Sequence, residues 1–332
     1  MAKAVIAGRE VAQEAAIAAL AERLGASTHP LIAGLATDIA GAEAAHDLAH
    51  HLGAVLDHGA AEAVLADLGV MRGPGWLVTT PLEARAMADC VLLIGEIPAD
   101  FPATPPPFAP DRARRVLRLA GGDLTRRVGV LRARIAGRRI AADADILAAA
   151  DALRAAKYGV IVWSASEIAP LAIEMLSGLI ADLNDTTRCF GLSIPAPGNA
   201  AGVIQALAWK SGFPIRLGYA RGRAEHDPWR FAAARMIAAG ETDAVLWIGD
   251  DAPKVPAGIF LAVLAPEESR ALDADIVIPM AVPGRDCDGI LFDAALGALR
   301  FQRASAPRPH LLRPADLLDA IAAQSRRELA AC

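Results

Sequence analysis

Two stretches of this 332-residue chain repeat one pattern: residues 88–98 read ADCVLLIGEIP and residues 242–253 read TDAVLWIGDDAP. Each is a nearly unbroken apolar run closed by Ile-Gly and an acid, as in a strand covered on both faces. A second pair repeats as well, HPLIAGLATDIAGAEAAHDLAHHLGAVLD at 29–57 and YGVIVWSASEIAPLAIEMLSGLIADLND at 158–185. Both read as strand, turn, then helix. A chain built twice from such units predicts two Rossmann-like α/β lobes with mainly parallel sheets and crossover helices. At 332 residues the chain also exceeds the size at which one core keeps growing. The expected boundaries are 1–145 plus 268–332 for a discontinuous first lobe, to whose sheet the strand 276–279 returns, and 146–267 for the second. Glu96 and the pair Asp250-Asp251 then fall where open α/β sheets place ligands. One carboxylate there suits a ribose hydroxyl or a guanine edge, but the expected role is a structural strand terminus.

The remaining elements follow from local pattern. Met1 to Arg23 reads as a helix from its alanine, leucine and glutamate content. Thr37 and Asp38 are candidate N-caps for a helix over 40–52 with Ala45, Leu48, Ala49 and Leu52 on its apolar face. Further expectations are a strand at 55–57, a helix at 60–68, a strand at 76–79 and a helix opened by Pro81. Ser164 and Glu167 have capping-box spacing ahead of a helix over 168–183. Phe101 to Pro110, with five prolines in ten residues, reads as a linker or extended arm, and Pro314 to Leu329 as a closing amphipathic helix.

The densest run of residues that a generic fold would not need is CFGLSIPAPGNAAGVIQALAWKSGFPIRLGYARGRAEHDPWRF, 189–231. A strand ends at PAPGNAAG and a helix follows, so free N–H groups of its first turn and the amide of Asn199 face the space above the sheet. Neither a Walker lysine nor a full G-x-G-x-x-G accompanies them, so the phosphate signal is weak. Gly212, Gly218 and Gly222 punctuate a loop carrying Arg221, Arg223 and His226, and Asp227-Pro228 reads as an N-cap and first helical residue. With Gln205 and Asp250, the residues Asn199, Arg221, Arg223 and His226 are the candidates for a pocket wall, against a solvated surface loop as the plainer reading.

His46 and His50 are one helical turn apart, half of a zinc-site pattern; a solvated face or subunit contact is the favoured reading, since only His58 offers itself as a third ligand. Asp286, Asp288 and Asp293 lack calcium-loop spacing and read as turn formers. The four cysteines, Cys90, Cys189, Cys287 and Cys332, contain no close pair of the kind an iron–sulfur or zinc site uses. Arginine outnumbers lysine 29 to 4. Ten arginines fall in the stretch 112–139, which suits a subunit interface or a polyanion contact. The net charge of −5 and the absence of base-reading motifs argue against nucleic acid. No apolar run is long enough for a membrane span and no leader pattern opens the chain, so the expected location is cytoplasmic.

The succession Pro197-Gly198-Asn199, Gly202, Gln205, Trp209, Gly212, Pro214, Arg221-Gly222 and Pro228 resembles the family of formylmethanofuran dehydrogenase B subunits, relatives of the molybdopterin oxidoreductases. The resemblance implies lobes related to their dinucleotide-binding domains, a molybdenum or tungsten bis-pterin, an iron–sulfur cluster, and interconversion of carbon dioxide and formate. This chain departs from it where the chemistry should be: the cluster cysteines are missing, and the segment between Gly53 and Gly75, where relatives carry the metal-ligating cysteine or selenocysteine, has none. What the resemblance then implies is a member like the cofactor-less B subunit of the bacterial formyltransferase/hydrolase complex: a non-catalytic component of tetrahydromethanopterin- and methylofuran-linked one-carbon metabolism. No bound cofactor is expected, and the partners are the other subunits, which carry the formyl transfer and its release as formate. The arginine stretch would meet a subunit or the glutamate-rich tail of a methylofuran-type carrier. The alternatives are the catalytic component of an active molybdenum or tungsten formylmethanofuran or formate dehydrogenase, and a free-standing nucleotide-binding protein.

Overall fold

The computed structural model describes residues 3–73, 75–97, 115–269 and 273–325. The proline-rich segment 101–110, Arg112, Arg114, Pro98 and Cys332 lie outside the described residues, as does the end of the closing helix, whose described part is Pro314–Gln324. The chain forms two compact α/β units. The first comprises Met1–Ala61, Pro197–Phe292 and Leu299–Cys332, the second Glu62–Ala196 and Asp293–Ala298. These replace the expected boundaries. The reason lies in strand pairing: Cys90–Ile94 pairs with Gly159–Ser164, and Pro30–Ala33 with Ala244–Ile248, so each sheet draws on both expected lobes.

The second unit holds a parallel four-stranded sheet in the order Arg115–Leu119, Cys90–Ile94, Gly159–Ser164, Cys189–Ile194. All residues of the two central strands are buried, as an apolar run without alternation requires. One face packs Leu92, Ile94, Ile161 and Trp163 against helices Leu124–Ile135, Ala144–Ala155 and Pro170–Leu183. The other packs Val91, Leu93, Val160 and Val162 against Ala84 and Ala88 at helix Pro81–Met87. Thr80 and Glu83 give that helix a reciprocal capping box.

The first unit is built on a nine-stranded sheet. Its middle is parallel, in the order Val55–Leu56, Pro30–Ala33, Ala244–Ile248, Phe260–Pro266, Ile276–Met280. Antiparallel pairs extend both edges, Leu217–Gly218 with Glu225–His226 on one side and Lys3–Ile6 with Arg9–Ala12 on the other. The strand Ile276–Met280 joins the sheet that contains the first strands of the chain, in line with the expectation for 276–279. Helix Ile39–Leu52 starts at Asp38, whose side chain accepts from the Gly41 N–H, and stops at left-handed Gly53.

Four local expectations are corrected. Residues 3–12 form a hairpin rather than a helix; Ala7 and Gly8 both take positive φ, the backbone a tight two-residue turn needs, and the helix begins only at Gln13. Residues 76–79 supply a single bridge, Val78 to Gly191, instead of a strand. The helix expected at 168 starts at Pro170, whose missing N–H suits the first turn, with Ala169 as cap in place of a Ser164 capping box. Asp227 accepts from the N–H groups of Trp229 and Arg230 as an N-cap would, but this turn ends there and the helix is Ala233–Ala238.

Candidate functional site

In the first unit the carboxyl ends of the parallel strands are closed by their own side chains. Gly34, at φ +82°, lets the chain turn directly beneath Trp247, whose indole N–H donates to Asp251 Oδ1 at 2.9 Å. His58 is buried; its Nδ1 accepts from the Ala60 N–H at 2.9 Å, so Nε2 carries the proton and donates to the Gly198 carbonyl at 3.1 Å. Burial pushes its pKa down, against the Gly198 bond and the Asp251 charge, and the ring is neutral. Asn199 sits in the left-handed region at φ 57°, where its amide N–H donates to the Thr37 carbonyl and its oxygen accepts from the Phe292 N–H, both at 2.8 Å.

That arrangement corrects the expected pocket wall. The Asn199 amide is consumed in binding two backbone segments, and Gln205 Nε2 turns back on the Ala201 carbonyl within its own helix. His226 Nδ1 lies 2.6 Å from the Ile215 carbonyl, with the ring stacked on Phe213. Leu217 pairs with Leu56 and Gly218 with Val55, antiparallel, so the turn beyond Gly218 passes the amino end of the parallel strands. Arg221 and Arg223 are on that turn, exposed and sharing Glu225 at 3.2 and 3.7 Å. Asp250 is exposed at the other, carboxyl end. The six candidates therefore do not line one pocket.

A cavity of about 600 Å³ lies instead at the amino ends of the strands, with Val55, Phe231 and Met236 as apolar lining and His29, Arg230 and Glu241 as polar lining. Beside it, Asp243 receives hydrogen bonds from Ser27, from the N–H and hydroxyl of Thr28, and from the His29 N–H. Burial raises its pKa, but these bonds prevail and hold it at about 2. Residues 28–30, 53–55 and 220–243 supply this lining, and none carries a motif.

No family model matches the chain. It is 36% identical over 323 residues to the B subunit of the formyltransferase/hydrolase complex Fhc from Methylorubrum extorquens, covering 89% of each. The chain belongs to that B-subunit family. The crystal structure of the formyltransferase/hydrolase complex FhcABCD from the same organism, in complex with methylofuran, contains a chain matching 97% of this one and 98% of its own length, at TM-score 0.83 and 33% identity. The B subunit of the tungsten-containing formylmethanofuran dehydrogenase 2 from Methanocaldococcus jannaschii is 33% identical over 125 residues, 34% of this chain and 28% of that one.

Among the described residues the cysteines do not assemble a metal–thiolate or iron–sulfur set. No cysteine lies between Gly53 and Gly75. Cys90 and Cys189 are core residues of the second unit, and burial pushes their pKa up to about 11 and about 12; Cys287 is raised by burial to about 11. Among the described residues no three His, Cys, Asp or Glu gather as a metal set. His46 is buried rather than solvated, edge-on to Tyr219 at 5.3 Å with Nδ1 2.9 Å from Asp47, while His50 flanks the same ring at 5.6 Å and contacts the Gly222 carbonyl.

The other acids are local ties. Asp286 is buried between Arg285 and Arg308 and accepts the Val282 N–H; Asp288 accepts from Ala304, and Asp293 from Ala295 and Leu296. Within the arginine-rich stretch, Arg118 meets Glu96 at 3.6 Å, Arg127 binds Asp145, and Arg132 binds Asp182 at 2.7 Å. Arg126 and Arg127 line a smaller cavity of about 270 Å³ together with Asp123 and Asp143. No helix among the described residues is long and apolar enough to cross a membrane.

Proposed function

We propose that this chain is the structural B subunit of a cytoplasmic formyltransferase/hydrolase complex, with formyl transfer from a tetrahydropterin carrier to a methylofuran-type carrier and hydrolysis to formate carried by partner subunits. The observation that carries the reading is the closed strand end of the first unit. His58, Asn199 and Asp251, which in an open α/β sheet would face a ligand, each hold another part of the chain. Sequence and structural similarity to a member of the Fhc complex over about nine-tenths of the chain or more supports the assignment. The arginine stretch 112–139 is then a subunit contact, its members Arg127 and Arg132 already neutralised within the chain.

The test is native mass spectrometry of the tagged chain purified from its own cells. A heteromeric assembly without pterin, metal or cluster mass on this polypeptide is expected, as is formyl-transfer activity changed less than about twofold by Asp250→Asn or Gln205→Ala. A monomer or homodimer bearing a bis-pterin metal would overturn the reading.

A further inference from the structure

All four parallel strands of the second unit begin at one level: the register sets Arg115 beside Cys90, Cys90 beside Gly159, and Gly159 beside Cys189. The residues leading into them form a row, about 4.8 Å from strand to strand. Arg115, Lys157 and Arg188 stand in that row, all exposed. Helix Ala144–Ala155 leads into Gly159–Ser164 and so ends here too; Arg154, in its last turn, donates to the Arg134 and Ile135 carbonyls at the end of Leu124–Ile135. Just beyond that second helix end come Arg138 and Arg139, also exposed.

The carboxylates at this end do not balance these charges. On the strand starts and the three helix ends that cover this face, eight cations meet four carboxylates, Asp89, Asp151, Asp182 and Asp185. Asp182 takes Arg132 at 2.7 Å, and Asp89 accepts from the Lys157 and Tyr158 N–H groups. Asp123, Asp143 and Asp145 are at the opposite end, where the two helices start. Arg134 and Arg154 serve the helix ends by binding backbone carbonyls. Among the described residues the side chains of Arg115, Arg138, Arg139, Lys157 and Arg188 make no hydrogen bond or ion pair. In a chain of net charge −5 this is a concentration of like charge that repels itself while the chain is alone. Spread across several strands, it does not converge on one small anion. It matches a surface bearing several carboxylates, which guanidinium groups bind through paired hydrogen bonds. Val116 and Ile140, 43% and 39% exposed next to Arg115 and Arg139 in the chain, add the apolar contact that a polar rim encloses.

We propose that the amino end of this parallel sheet, through Arg115, Arg138, Arg139, Lys157 and Arg188, is the docking face for an acidic surface of a different subunit of the complex. This rests on the assembly reading above and carries the contact beyond the arginine stretch to Lys157 and Arg188. The experiment treats the complex, purified from its own cells through the tagged chain, with a carbodiimide, which joins a lysine to a carboxylate it touches. Lys3 and Lys210 are already tied to Glu10 and Asp47 within the chain; Lys157 is expected to link to an Asp or Glu of another subunit. Arg138→Glu with Arg139→Glu is expected to weaken partner affinity at least about tenfold at low salt and to flatten its salt dependence, with the thermal melt of the chain unchanged. The same charge change on the first unit, Arg9→Glu with Lys254→Glu, is expected to alter affinity less than about twofold. Affinity unmoved by the reversal at 138 and 139, a Lys157 that links only within its own chain or to a second copy, or capture of RNA or another polyanion that the reversal abolishes while assembly persists would each overturn the inference and leave the assembly reading intact. A wild-type chain isolated without partners would overturn the assembly reading, and the inference with it.

Discussion

The two units use one device in two places. In the second, Asp89 accepts from the N–H groups of Lys157 and Tyr158, the two residues leading into the strand Gly159–Ser164. In the first, Asp243 accepts from Thr28 and His29, the two residues leading into Pro30–Ala33. The registers agree, Cys90 opposite Gly159 and Ala244 opposite Pro30. At the other end of each sheet an indole covers a glycine and donates to a carboxylate, but the tryptophan has changed strands. Trp163 stands over Gly191 and donates to Asp67 at 3.1 Å; Trp247 stands over Gly34 and donates to Asp251 at 2.9 Å. The entering ends of the strands have been kept alike, while the exiting ends have been sealed by different residues. The Ile-Gly-acid close is shared as well, with the Gly95 N–H donating to the Leu119 carbonyl and the Gly249 N–H to the Leu264 carbonyl, so the repeat persists where it aligns neighbouring strands.

Substituting the two glycines should separate the seals most widely. A Cβ at Gly34 would meet the Ile248 carbonyl at 2.6 Å and the Trp247 indole at 2.8 Å, on a backbone at φ +82°. Gly34→Ala should therefore cost about 3–5 kcal/mol, strain and overpacking together. At Gly191 the Cβ meets the Trp163 ring at 2.7 Å with no left-handed backbone to strain, so Gly191→Ala should cost about 2 kcal/mol. Denaturant unfolding of each variant measures the difference, and equal losses would remove the distinction.

The aspartates at the entering ends come next. Asp243→Ala should destabilise by about 2 kcal/mol, more than Asp89→Ala, because it also loses the hydroxyls of Ser27 and Thr28. With a folded pKa near 2 against an ordinary 3.8, Asp243 contributes its full stabilisation above about pH 4 and loses it as pH falls toward 2. For so accessible a group the lost contribution is about 1–2 kcal/mol after solvent screening. Acid unfolding of wild type against Asp243→Asn reads it directly.

Asp67 gives the smallest effect and the opposite sign. Burial raises its pKa despite hydrogen bonds from Ser193 and Trp163. The folded state thus keeps the proton longer than the unfolded one, and this contribution is greatest below pH 4 and declines as pH rises through the raised pKa. Asp67→Asn keeps an acceptor for the indole and should change stability at pH 7 by less than about 1 kcal/mol, while flattening the slope on the alkaline side of the ordinary carboxylate range. An unchanged slope would show that Asp67 titrates as it does in the unfolded chain.

The strand–helix alternation is legible in the sequence because buried parallel strands and capped helices leave dense local signals: CVLLI, AVLWI and Asp38 before its helix each stand on a few neighbouring residues. The lobe boundaries are not, since pairing Cys90 with Gly159 and Ala244 with Pro30 is a long-range choice. The hairpin at 3–12 is hidden by helix-favouring composition, although Ala7-Gly8 between KAVI and REVA is a turn signal. Asn199 reads as a ligand group because its two backbone partners, Thr37 and Phe292, are far away in sequence. His46 reads as solvated because nothing local announces that Tyr219 covers it. The resemblance of residues 197–228 to the dehydrogenase family points to the right relatives without any of this geometry, since glycines and prolines at fixed spacing mark a family even where the side chains have taken structural work.

The strand order of the first unit also sets a timetable for synthesis. Pro30–Ala33 leaves the ribosome early but pairs with Ala244–Ile248, which at about 5–20 residues per second follows roughly 10–40 s later. The four strands of the second unit are complete by Ile194. During that interval Leu31 and Ile32, fully buried at the end, have no central neighbour to cover them. The sheet of the inserted unit is therefore paired first, and the surrounding sheet is the part of the nascent chain left longest with an apolar strand waiting for its partner.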